Sequence, residues 1–124
     1  MKNLTLFVVL FLIFSCSDYV ESEKKSLDGK FSVIAKVNRT DKNAEFYAEP
    51  IFEIYNSKKQ LIAKIESGAG DFSRWEVGWS DMDNYLLLNS SDIGIKAWKV
   101  EDNEVTEVEP SAELYSQAHY LFQD

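Results

Sequence analysis

Cysteine is almost missing from this chain: Cys16 stands alone among 124 residues. That excludes an internal disulfide framework and any zinc site built from several thiolates. Positive charge is scarce in the second half. Residues 67–124 carry Arg74, Lys96 and Lys99 against twelve acidic side chains, a net of −9, whereas residues 16–66 hold nine of each sign and net to zero. With a formal charge of −8 for the whole chain, there is no basic stripe for nucleic acid, which is excluded as a partner. Histidine is limited to His119, and no Gly-x-Ser-x-Gly elbow accompanies it, so a Ser–His–Asp device lacks its parts. Long apolar runs are missing too. Leu4 to Phe14 is apolar apart from Thr5, and its eleven residues fall short of the roughly 20 that span a bilayer. A length of 124 residues suits one domain.

Aromatic residues make up 14% of the chain, with three Trp, enough for a packed core and too many for a disordered tail. From Asp28 onward, apolar residues alternate in short runs between turn residues. Phe31, Val33, Ala35 and Val37 share one face of a strand over Lys30 to Asn38. Glu45 to Tyr55 reads as a second strand, bent or at a sheet edge at Pro50. Leu61 to Ile65, then Trp75 to Trp79, Tyr85 to Asn89, Ile95 to Val100 and Val105 to Val108 follow, with Asp-, Asn- and Gly-rich turns between several of them. Trp75, Val77 and Trp79 lie on one face. After Pro110 the period changes, and Leu114, Ala118, Leu121 and Phe122 fall on one side of a helix. The expected fold is mainly β: a single antiparallel meander of about seven strands, curled into a small barrel or sandwich, with a C-terminal α-helix. Three segments are expected, namely 1–15 as a signal peptide, 16–27 as a tether and 28–124 as one β-rich domain.

Lys2 followed by the eleven-residue apolar stretch has the form of a secretory signal. The stretch ends at Ile13-Phe14-Ser15-Cys16, which resembles the lipobox of bacterial lipoproteins, with Phe14 at the position that motif leaves most variable. The resemblance implies cleavage before Cys16, a diacylglycerol on its sulfur and an acylated amine. Several acyl chains anchor a protein stably where one does not. Ser17 to Ser26 is polar and without sustained period, as a tether would be. Asp18, Glu21 and Glu23 resemble, loosely, the acidic surface-export region of Bacteroidetes lipoproteins. In enteric lipoproteins an Asp after the lipidated Cys signals inner-membrane retention; Ser17 stands there, which favours the outer membrane. The expected location is therefore the bacterial outer membrane, lipid-anchored.

The most unusual run is Ser67-Gly68-Ala69-Gly70-Asp71-Phe72-Ser73-Arg74-Trp75. It lacks the Gly-Lys-Ser/Thr ending of a phosphate loop, and Asp71 would repel a phosphate. The small residues beside Trp75 and Trp79 suggest either a plain strand connection with both Trp in the core, or a loop over an aromatic ledge. On the second reading Asp71, Arg74, Trp75 and Trp79 are candidate partner-binding residues. Ser67-Gly68-Ala69-Gly70 also resembles the Ser-Gly-x-Gly loop of the small lipoprotein inhibitors of lysozyme, whose paired cysteines are missing here. Trp79 to Trp98 resembles one hairpin of a WD-type propeller blade, but a propeller of at least four such blades needs far more chain. Asp81, Asp83, Asn84 and Asp92 offer oxygens to Ca²⁺ without the EF-hand order and suit turns better.

The sequence thus predicts a non-catalytic binding or interaction module in the cell envelope, with no cofactor and no metal. Its expected partners are the membrane, through the lipid, and an unspecified protein or glycan. A lysozyme-type inhibitor is the sharpest alternative, since lysozymes are typically basic and this chain is acidic. A small envelope hydrolase is the second.

Overall fold

The computed structural model describes residues 19–37 and 48–123; the expected signal peptide and Cys16 lie outside them. Seven of its strands are five to eight residues long: β3 (Phe31–Val37), β4 (Pro50–Asn56), β5 (Leu61–Glu66), β6 (Trp75–Trp79), β7 (Tyr85–Ser90), β8 (Gly94–Glu101) and β9 (Glu104–Val108). Two short pieces, β1 (Tyr19–Val20) and β2 (Lys24–Lys25), precede them, and α1 (Ala112–Tyr120) follows. The fold is mainly β with a C-terminal helix, as the alternating runs predict.

Of barrel and sandwich, the chain takes the sandwich. One sheet runs β3-β4-β5, with β1 and β2 both pairing to β3; the other runs β6-β7-β8-β9, and every pairing is antiparallel. The meander breaks between β5 and β6, where residues 67–74 cross from one sheet to the other. The inner faces hold Phe31, Val33, Ala35, Phe52 and Ile54 from the first sheet against Trp75, Val77, Leu86, Leu88, Trp98 and Val100 from the second. Phe52, fully buried, lies between Trp75 and Trp98 at centroid distances of 6.1 and 6.0 Å.

The second sheet is covered on both faces. Leu87 and Ala97 point away from the first sheet and meet Leu114 and Ala118 of α1, with Leu121 beside them. This explains the unbroken Leu86-Leu87-Leu88: a strand buried on both sides reads as continuous apolar sequence rather than alternation. Gly78 faces the helix, and a Cβ there would come within 2.8 Å of Leu121. Ser111 caps α1 by accepting from the Leu114 N–H at 3.2 Å, which satisfies one of the helix's orphan donors.

Two expectations need correction. The second strand begins at Pro50, not Glu45, and it is central, between β3 and β5. Proline suits the first residue of a strand even when the strand is internal. Ala48 and Glu49 are not in a strand, and Glu45 to Tyr47 lie outside the described residues. The described part of the expected tether, from Tyr19 on, is also structured. Tyr19 sits opposite Val37 and Lys24 opposite Val33. Lys24 Nζ donates to the Val77 carbonyl at 2.7 Å, and the Trp79 indole N–H donates to the Lys24 carbonyl at 2.9 Å. These bonds tie β2 to β6 and cover that edge of the sandwich, which blunts edge-to-edge association. Two-residue pairings leave no side-chain period to read.

Candidate functional site

The antiparallel register gives the sandwich two ends. At one, β1 enters, β4 begins, β5 stops and β6 starts, so Tyr19, Pro50, Glu66 and Trp75 lie there together with the 67–74 loop. At the other, the turns after β2, β4, β6 and β8 converge.

The 67–74 loop is braced at every step. Ser67, Ala69 and Gly70 are buried. The Gly68 N–H donates to Glu49 at 2.7 Å, and the Gly70 N–H donates to Asp92 at 3.1 Å. The Asp71 N–H donates to the Ala48 carbonyl at 2.8 Å, while its carboxylate accepts the Trp75 indole N–H at 3.1 Å. Arg74 donates to the Phe122 carbonyl, and its guanidinium lies 4.4 Å from the Phe122 ring centroid. Phe72, the loop's single large apolar side chain, faces outward, 70% exposed. Its ring lies over Gly70, where a Cβ would collide with it.

The four sequence candidates therefore lie near one sheet edge but do not form a shared exposed surface. Trp75 is buried among the inner-face residues, and Trp79 is half-buried, stacked on Phe31 at 6.4 Å. There is no aromatic ledge: alternation places both rings between the sheets. Asp71 holds the Trp75 indole, and Arg74 clips the C-terminal segment to the loop. Asp71, Arg74 and the margin of Trp75 do line, with Tyr19 and Glu76, a shallow concavity of about 210 Å³, from which Trp79 is absent.

The calcium set is not assembled either. Asp92 is spent on the Gly70 N–H, whereas Asp81, Asp83 and Asn84 belong to the turn at the opposite end. Among the described residues no three His, Cys, Asp or Glu side chains come together as a metal site would require. His119 is exposed on α1, edge-on to Tyr120 at 6.5 Å.

Among the described residues Glu53 is the one buried carboxylate, on the outer face of the first sheet. The Tyr55 hydroxyl donates to it at 2.6 Å, and Lys36 and Lys64 lie 2.9 and 3.8 Å away. The Tyr55 hydrogen bond, then that of Lys36 and the two positive charges, hold its carboxyl below the usual value of 4.5, against burial, which acts the other way. The same bond raises the Tyr55 hydroxyl. Every member is partnered, which is how a sheet tolerates a buried charge.

The other end carries the larger opening. Two concavities of about 470 and 500 Å³ adjoin there and share Lys30, Phe31 and Asp102. The first is completed by Asp83, Asn84, Lys99, Glu101 and Asn103, the second by Asn56, Lys58 and Gln60 among others. Asn84 is held by Asp28 at 3.2 Å, and Asp28, fixed by the Lys30 N–H, has its carboxyl held below the usual range. Asp83 takes a positive φ of 45°, which a short polar side chain tolerates. The result is an open groove with a buried Phe31 in its lining and amide, ammonium and carboxylate groups around its rim. The sequence shows these residues as turn formers or strand-end residues, in four separate stretches; their convergence was not legible there. No protein-family model, curated protein or solved structure matches the chain.

Proposed function

We propose that the chain is an envelope lipoprotein, held at the bacterial outer membrane through Cys16, whose domain is a non-catalytic binding module. Its partner, a polar protein segment or a glycan, occupies the groove lined by Lys30, Asn84, Lys99 and Asp102. The single observation that carries this reading is the groove itself, where donors and acceptors of both charges surround an aromatic residue. Specificity in binding sites comes from a few placed polar groups around apolar surface. The anchor rests on Ile13-Phe14-Ser15-Cys16.

Two measurements test the two halves. Cys16→Ala should leave uncleaved, unacylated precursor; normal processing and membrane association of that variant would refute the anchor. For the groove, the purified domain is presented to a glycan panel including peptidoglycan fragments, and to lysozymes in a turbidity assay. Binding that survives both Lys30→Glu and Lys99→Glu would refute the groove assignment. Ser67 and Ala69 are wholly buried, so the Ser-Gly-Ala-Gly run does not stand out as a loop that could plug an enzyme cleft.

A further inference from the structure

We infer that the end of the sandwich bearing the 67–74 loop seats on the lipid surface, with Phe72 entering the boundary between headgroups and acyl chains. This rests on the lipidation of Cys16 and adds an orientation to it.

The chain outside the described residues sets the geometry. Cys16 precedes Tyr19 by three residues, and three residues reach at most about 11 Å whatever their conformation. Tyr19 is fixed in register opposite Val37 and borders the same concavity as Asp71, Arg74 and Trp75. The opposite end lies a seven-residue strand away, about 23 Å at the usual rise per residue, beyond that reach. A lipid on Cys16 therefore brings the 67–74 end to the membrane and turns the groove away from it.

The loop is built to meet such a surface. Phe72 is exposed, and the loop beneath it is fixed by Glu49, Asp92 and Asp71, so little ordering remains to be done on contact. Those three carboxylates are turned onto N–H groups rather than outward. Ile93, also exposed, lies beside Gly68. Two of the three cations of residues 67–124, Arg74 and Lys96, flank the same loop. Exposed aromatic and aliphatic side chains with flanking cations suit insertion about 5–10 Å into the headgroup–acyl boundary.

The lone cysteine makes the test clean. With Cys16 carrying lipid, an added cysteine is the only free thiol for an environment-sensitive fluorophore. Acylated full-length protein labelled at Phe72→Cys, Ile93→Cys or Leu27→Cys is reconstituted into phosphatidylethanolamine–phosphatidylglycerol vesicles containing headgroup-proximal spin-labelled lipid. Leu27 is as exposed as Phe72 but lies at the opposite end. The labels at positions 72 and 93 should be quenched and blue-shifted on reconstitution, and the label at 27 should be neither. Equal quenching at all three positions, or none at 72 and 93, in acylated protein that floats with the vesicles overturns the orientation alone. Protein that is neither acylated nor vesicle-bound overturns the anchor and the orientation with it.

Discussion

Replacing Asp71 with alanine should destabilise the domain far more than an ordinary surface substitution. Asp71 is half-buried, and its carboxylate accepts the Trp75 indole N–H at 3.1 Å; Trp75 is only 9% exposed. Without that acceptor a donor is left unpaired at the margin of the inter-sheet core, at a cost of about 1–3 kcal/mol. Surface changes away from such features shift stability by no more than about 0.5 kcal/mol. Asp71→Asn keeps an oxygen in reach and exchanges a charge-assisted bond for a neutral one, so it should lose less than Asp71→Ala. The assay is urea unfolding of the chain from Ser17 onward, followed by tryptophan fluorescence, with the midpoint shift read at constant m-value. At this domain size each kcal/mol also lowers the melting temperature by about 4 °C. If Asp71→Ala unfolds within about 0.5 kcal/mol of the parent, water reaches the indole and replaces the carboxylate. The bracing role of the loop is then wrong.

Two further substitutions probe the layers. Leu114→Ala removes the largest buried side chain of α1, which meets Leu87 and Ala97; it should cost about 2–5 kcal/mol in the same urea assay, and an unchanged midpoint would show that the helix does not pack. Glu53→Gln tests the buried ion cluster. The folded carboxyl titrates below its usual 4.5, so its stabilisation is present above that value and is lost as pH falls through the lowered folded value. The variant should be less stable than the parent at neutral pH and should lose less on acidification; parallel curves of midpoint against pH would remove Glu53 as the cause.

Much of this fold is local enough to read from sequence. Phe31, Val33, Ala35 and Val37 declare their face two residues at a time, and Trp75, Val77 and Trp79 do the same. The change of period after Pro110 marks α1, and Leu114 and Ala118 are indeed its buried residues. The short β1 and β2 escape because they are held by pairing to β3, by the Lys24 ammonium on the Val77 carbonyl and by the Trp79 indole on the Lys24 carbonyl, long-range contacts that no local pattern announces. The choice between one curled sheet and two packed ones was open for a similar reason. It depends on whether β5 pairs with β6, and the small residues between them are compatible with either.

The ends of the sandwich follow a different rule from its faces. A face is written at period two along each strand, so its composition is visible before any pairing is known. An end is collected from turns that lie far apart in sequence, and only register brings them together. Asp28, Asn56, Asp83 and Asp102 each look like turn residues in isolation, because Asp and Asn do form turns. Pairing Phe31 with Asn56 and Glu101 with Glu104 places the turns after β2, β4 and β8 at one end and makes a groove of them. The same register carries the run with the most unusual composition, Ser67 to Arg74, to the end where the chain enters. Unusual composition there answers a packing demand: small residues let the crossing loop bury Ser67, Ala69 and Gly70 at that end, and Asp71 and Arg74 fasten it. On the function proposed above, the surface left for a partner is the end built from ordinary turn residues, which a lipid on Cys16 would hold away from the membrane.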